Sequence, residues 1–278
     1  MRQARAEAIT RKAYMDAQHE WKRLVKDSNN RIEFDTTLHY LNEVLPKKGK
    51  ILDAGGGPGR YSIHLARKRY RPTILDLSAP HIEFARKQAR REGVSGRFDG
   101  FAVGSILDLS RFPNNTFDAV LCLGGPLSHV SGERNRMKAL SELVRVAKKN
   151  APILVSVMGK WGTLATPLAF FANEARRTRH MMELTLKGED KMWHGKYYSH
   201  YFTLDEVRGL FSKIRSIKVL KIVGLQGLST TWSDKFTDDF HKDKKAWKNW
   251  MEIHRLVREV PSVVDNSRHI LIVARKIR

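Results

Sequence analysis

A single cysteine in 278 residues, Cys122, excludes an internal disulfide and any multi-cysteine zinc site. It falls within Ala119-Val120-Leu121-Cys122-Leu123, an apolar run that reads as buried strand rather than as the setting of a nucleophile. No apolar run approaches the roughly 18 residues of a membrane-spanning helix. The opening residues, Met1-Arg2-Gln3-Ala4-Arg5-Ala6-Glu7, lack the apolar stretch of a secretory signal, while Glu7, Asp16 and Glu20 argue against a mitochondrial transit peptide. The expectation is therefore a cytoplasmic protein. No His-Glu-x-x-His or carboxylate pair at metal-ligand spacing occurs, and His241 after Asp238-Asp239 reads as a solvated helix face, so no metal is expected. Internal repeats and low-complexity segments are also absent.

Acidic residues are in short supply too: 29 against 51 Lys and Arg, a net charge of +22. Such a surface attracts nucleic acid, acidic lipid headgroups, or phosphorylated and carboxylated small molecules. The basic residues are spread over Arg60 to Arg71, Arg86 to Arg97, Arg176 to Arg179, Lys213 to Lys221 and Lys242 to Lys248, so a solvated basic surface and a polyanion partner both remain open. Hydrophobic residues at 41% and charged residues at 29% describe an ordinary globular chain, long enough for a sizeable core.

Residues 1–48 read as a helical lead-in, with Tyr14, Ala17, Trp21, Leu24 and Val25 and then Leu38, Leu41, Val44 and Leu45 at helical spacing, and a loop at Asp27-Ser28-Asn29-Asn30. From residue 49 strands and helices alternate. Strands are expected at Lys50 to Ala54, Pro72 to Leu77, Phe98 to Val103, Phe117 to Leu123 and Pro152 to Met158, with Ser78-Ala79-Pro80 opening the second helix. Five alternations predict an α/β fold, a doubly wound, mostly parallel sheet. Two insertions interrupt it, at 160–202 and 225–266. Between them Thr203-Leu204-Asp205-Glu206 is a capping box ahead of a helix and a sixth strand, Ile217 to Val223, and His269 to Ala274 closes a seven-stranded sheet.

The chemistry gathers at Ile51-Leu52-Asp53-Ala54-Gly55-Gly56-Gly57-Pro58-Gly59, a strand end running into a glycine turn and a helix. In doubly wound sheets ligands sit outside the carboxyl ends of the strands, and a carboxylate ending the second strand, here Asp76, can accept hydrogen bonds from both hydroxyls of a ribose. A helix N-terminal acid is the plainer alternative for Asp76. The dinucleotide pattern Gly-x-Gly-x-x-Gly/Ala fails from Gly55, where the third place is the bulky Arg60, and is weak from Gly57, where it is Ser62.

What stands there instead, Asp53-x-Gly55-x-Gly57-x-Gly59, resembles motif I of the class I S-adenosylmethionine-dependent methyltransferases, of the type 11/25-like domain. The resemblance extends through Asp76, Val103 to Leu109 and Asn114 to Val120 to the helix start at Tyr201-Phe202-Thr203; the insertions and the first 30 residues match nothing assigned. It implies S-adenosylmethionine as cofactor and a Rossmann-like fold. Asp53 and the backbone of Gly55, Gly57 and Gly59 would hold the methionine portion, Asp76 the ribose, and Leu77 would lie against the adenine. Ser105 and Ile106 would flank the adenine edge, and Gly124 and Gly125 would line the methyl-donor side. Many relatives carry an acid at the place of Ser105, and a serine oxygen accepts a bond from the adenine amino group more weakly.

Methyl transfer is an in-line displacement that needs orientation first and a base only for reluctant nucleophiles. His129, just past the fourth strand, is the candidate to orient or deprotonate an acceptor, with helix capping as the alternative. Tyr197, Tyr198, His200 and Tyr201, beside Trp193 and His194, are candidates to line an acceptor pocket or simply to pack the first insertion. A small-molecule acceptor suits the lead-in, read as a cap, and the two insertions, which would close over the cofactor and form a private pocket. An RNA or protein acceptor suits the charge, and a nicotinamide-dependent oxidoreductase on this fold is the remote alternative.

Overall fold

The computed structural model of the chain describes residues 3–170, 176, 178–190 and 198–278. Seven strands form the main sheet: β1 (Lys50–Ala54), β2 (Arg71–Asp76), β3 (Gly100–Val103), β4 (Ala119–Cys122), β5 (Pro152–Met158), β6 (Ile217–Gly224) and β7 (His269–Lys276). Their order is β3-β2-β1-β4-β5-β7-β6. The first five run parallel, and β7 inserts antiparallel to both β5 and β6. An antiparallel β7 needs no crossover helix after β6, which frees the 225–266 segment to pack elsewhere.

Helices cover both faces, so the strands read as continuous apolar runs. On one face α3 (Ser28–Val44), α4 (Arg60–Arg67) and α5 (Ala79–Arg91) pack on Ile51, Ile74, Leu121, Leu154 and Leu271. On the other α6 (Glu133–Val146) and α9 (Leu204–Ser212) pack on Leu52, Leu75, Val120, Val155 and Ile272. Each such fully buried aliphatic side chain contributes about 1.5–3 kcal/mol. Cys122 is fully buried among them, and burial pushes its thiol up, away from the reactive thiolate.

Local signals set the helix starts. Ser78 caps α5, and Thr203 with Glu206 closes the capping box of α9. The expected loop at Asp27 to Asn30 is instead a helix start: Asp27 Oδ1 accepts from Asn30 N at 2.7 Å, and Ser28 to Asn30 form the first turn of α3. Ahead of it lie α1 (Gln3–Ala13) and α2 (Ala17–Arg23). The fourth strand is shorter than expected because Phe117 leaves the ladder to bridge Ala147.

In the first insertion α7 (Lys160–Phe170), α8 (Thr178–Lys187) and a two-stranded ribbon, Glu189–Asp190 with Ser199–His200, are described; Phe171, Ala175, Trp193, His194 and Tyr197 lie outside the described residues. In the second, α10 (Asp234–Lys242) and α11 (Lys244–Val257) dock on α3 through Asp238 Oδ1 accepting from Ser28 N at 2.7 Å and Thr36 Oγ1 meeting His254 Nε2 at 3.0 Å. The short α12 (Pro261–Asp265) leads into β7.

Candidate functional site

The chain winds from β1 outward through β2 to β3, then returns to place β4 on the other side of β1. Where the order reverses, the carboxyl ends of β1 and β4 open a crevice. A cleft there encloses about 1040 Å³ of empty space, solvent at its mouth included, which is room for a nucleoside-sized ligand.

Its floor is the glycine turn. Gly55 has φ +76° and its backbone lies so close to the Pro126 ring that a Cβ would stand 2.4 Å from that ring. Gly57, at φ +54°, turns its N–H to Asp76 Oδ2 at 2.8 Å. Gly59 does not line the cleft; it lets α4 approach Ile74 and Ala85.

Asp53, 1% exposed, lies beneath the turn. Its Oδ2 accepts from Ser62 Oγ at 2.6 Å, while Oδ1 has no hydrogen-bond partner. Burial pushes this carboxyl up to about 6, with the nearby Asp76 charge adding and the Ser62 bonds opposing. An orphaned buried carboxylate oxygen on a cleft wall is a socket for a cationic donor.

Asp76 ends β2 with one donor on each oxygen: Gly57 N on Oδ2 and Ser78 N on Oδ1, both at 2.8 Å. Oδ1 also has His81 Nδ1 at 3.6 Å, beyond hydrogen-bond distance, so both oxygens can still accept from a vicinal diol. Beyond it Leu77 and Ile106 supply apolar walls. Ser105 Oγ donates to Glu7 Oε1 of α1 at 2.6 Å.

On the β4 side Gly124 lines the cleft and donates its N–H to Ser156 Oγ at 2.8 Å. Gly125 does not line it, being turned against Met158. His129 lies on the wall, its pKa lowered by burial. Its Nδ1 is 2.8 Å from the Tyr198 carbonyl oxygen, which only accepts, so Nδ1 carries the proton. Nε2 is then an acceptor, and Tyr14 OH donates to it at 2.9 Å.

Tyr14 belongs to the roof: the lead-in was expected to close over the cofactor, but none of its residues was expected at the site. The Tyr14 carbonyl accepts from Ser78 Oγ at 2.9 Å, so one residue ties the β2 loop to the β4 loop across the cleft. Gln3 Oε1 accepts from Ser131 N at 2.7 Å, and the Arg60 guanidinium sits 4.0 Å from the Trp21 ring while donating to the Trp21 carbonyl. The signal was present: α1 buries only Ala6, and the polar-faced series Gln3, Glu7, Thr10 and Tyr14 follows helical spacing. All four line the cleft.

The aromatic set, open between lining an acceptor pocket and packing the first insertion, is placed away from the cleft. Tyr198 is fully buried, its hydroxyl donating to Glu189 Oε1 at 3.2 Å; it serves the site through its backbone carbonyl. Tyr201 packs with Leu164 and Leu184, and His200 turns to Glu206 Oε1 at 3.6 Å. None of the three lines the cleft. Tyr201 fills the small core of the first insertion, and His200 packs edge-on against Phe202. Tyr197 lies outside the described residues.

A methyltransferase-domain family model matches residues 51–150, the stretch from β1 to the end of α6 that carries the turn, Asp76 and His129. A putative methyltransferase of Bacillus subtilis, YqeM, is 24% identical over 186 residues, 63% of this chain and 73% of its own. The tRNA 5-carboxymethoxyuridine methyltransferase of Escherichia coli is 42% identical over 105 residues, 38% of this chain and 40% of its own, so the chain spans well under half of that relative. Among solved structures, the 1,6-didemethyltoxoflavin-N1-methyltransferase of Burkholderia thailandensis superposes with a TM-score of 0.58 at 15% identity, covering 100% of this chain and 92% of that one, a likeness of fold. The glycine turn after β1, the acid ending β2, the order β3-β2-β1-β4-β5-β7-β6 and the family match meet in one assignment: residues 51–150 of this chain are a methyltransferase domain, of the class I S-adenosylmethionine-dependent type.

Proposed function

We propose that the protein transfers a methyl group from S-adenosylmethionine to a small-molecule acceptor inside the roofed cleft. The observation that carries the acceptor class is the roof: α1 and the turn after it line the cleft and are bonded to the β2, β3 and β4 loops through Tyr14, Glu7 and Gln3. A polymer segment would have to displace them, whereas a metabolite needs only their brief opening.

The residues fit the donor. Asp53 Oδ1, buried and unpartnered, suits an ammonium group; the paired lone pairs of Asp76 suit a ribose diol; Leu77 and Ile106 suit the two faces of a base. The donor supplies an electrophilic methyl carbon on sulfonium. The protein's task is to orient the acceptor and keep water out. The neutral His129, fixed as the Nδ1–H tautomer, can accept a proton at Nε2, where Tyr14 OH, also on the cleft wall, now donates. His129 therefore acts on an acceptor through Tyr14, or directly once the roof shifts.

A second reading, an RNA acceptor, is favoured by the +22 charge and by the match to the tRNA enzyme. Against it, exposed basic residues such as Lys68, Arg69, Arg90 and Arg91 close α4 and α5 at the end of the sheet where strands begin, away from the cleft. Incubation with methyl-labelled donor and, separately, a metabolite extract and a total tRNA fraction tests the choice. Label entering the metabolite fraction alone supports the small-molecule reading; label entering tRNA alone overturns it.

A further inference from the structure

We propose that Glu7, on the roof helix α1, reads the exocyclic amino group of the donor's adenine and thereby makes the roof part of the cofactor site. The inference rests on the S-adenosylmethionine reading above.

With the ribose on Asp76, the base would reach the β3 side, where Leu77 and Ile106 line the cleft. Of the lining side chains on that rim, the sheet contributes only a neutral one, Ser105. Its hydroxyl proton is committed to Glu7 Oε1 at 2.6 Å, and its oxygen accepts from Leu107 N at 3.2 Å. The charge on the rim comes from α1. Glu7 Oε1 accepts from Ser105 Oγ and from Gln3 Nε2 at 3.3 Å, and Gln3 is itself held by Ser131 N. These bonds fix the carboxylate by one oxygen, while Oε2 has no hydrogen-bond partner among the described residues. One turn on, the Thr10 hydroxyl lines the same cleft and is buried without a partner. A carboxylate only accepts, so Glu7 suits a base presenting an amino group and repels one presenting a carbonyl oxygen.

The discriminating pair is S-adenosylhomocysteine and its deaminated form, S-inosylhomocysteine, which differ in replacing that amino group by a carbonyl. Calorimetric dissociation constants are measured for the wild-type protein, Glu7→Gln and Ser105→Ala, with thermal unfolding showing that each variant is folded. The wild type is expected to prefer the adenosyl ligand roughly 10- to 100-fold, the worth of a hydrogen bond to a charged acceptor. Glu7→Gln, whose amide both donates and accepts, is expected to bring the two ligands within about threefold, and Ser105→Ala to keep most of the preference. Full preference in Glu7→Gln, or its loss in Ser105→Ala alone, overturns the assignment and leaves the cofactor reading intact. Equal wild-type affinity for both ligands also overturns it. Binding of neither ligand by the wild type overturns the cofactor reading and the role of Glu7 together.

Discussion

Between pH 7 and pH 5 the affinity for S-adenosylhomocysteine should fall about tenfold, and Asp53 should be the cause. Burial raises its pKa to about 6 from an ordinary 3.8. It is then about nine-tenths ionised at pH 7 and about one-tenth at pH 5. Only the ionised form pairs with the ligand's ammonium, which stays protonated across this window because α-amino groups titrate near 7.7–8.0. A tenfold loss is about 1.4 kcal/mol. The same shift has the opposite sign for folding. A carboxyl whose folded pKa is raised destabilises the unliganded protein above that pKa, and the penalty disappears as pH falls towards the unfolded value. Asp53→Asn should therefore raise the unfolding free energy of the unliganded protein at pH 7.5 by roughly 1–3 kcal/mol, weaken ligand binding and flatten its pH dependence. Calorimetric titrations at half-unit intervals from pH 5 to 7, with urea unfolding of the same samples, give both quantities. Affinity that stays constant from pH 5 to 7 in the wild type would refute the reasoning.

Further outcomes follow from the same geometry. Asp76→Ala removes the acceptor of Gly57 N and Ser78 N as well as the diol partner, and should weaken S-adenosylhomocysteine by about 1–3 kcal/mol in calorimetry. Tyr14→Phe deletes the donor to His129 Nε2; with an acceptor in hand it should lower kcat by roughly 10- to 100-fold while leaving ligand affinity within about threefold. Gly55→Ala forces a side chain into the Pro126 ring at φ +76°, and urea unfolding should show a loss of about 1–3 kcal/mol.

The sheet was legible because its signals are local. Apolar runs of strand length, the Ser78-Ala79-Pro80 start and the Thr203/Glu206 capping box each lie within a few residues and carry their meaning with them. The floor of the cleft was legible for the same reason, since Asp53, the glycines and Asp76 belong to two consecutive strand ends. The lead-in was legible as a cap, but the residues by which it closes were not, because that lies in pairings such as Ser105 with Glu7 and Tyr14 with His129, 98 and 115 residues apart. Asp27 misled in a smaller way: a polar cluster is equally a loop or a helix cap, and only the bond to Asn30 N decides. The aromatic cluster around Tyr198 stayed open between pocket lining and packing because composition marks rings that need burial without saying which cavity they fill.

The most direct test is a pair of calorimetric titrations on the wild-type protein at pH 7, one with S-adenosylhomocysteine and one with NAD. The account predicts saturable one-site binding of S-adenosylhomocysteine, weakened by Asp76→Ala, and no binding of NAD. Binding of NAD alone would contradict it.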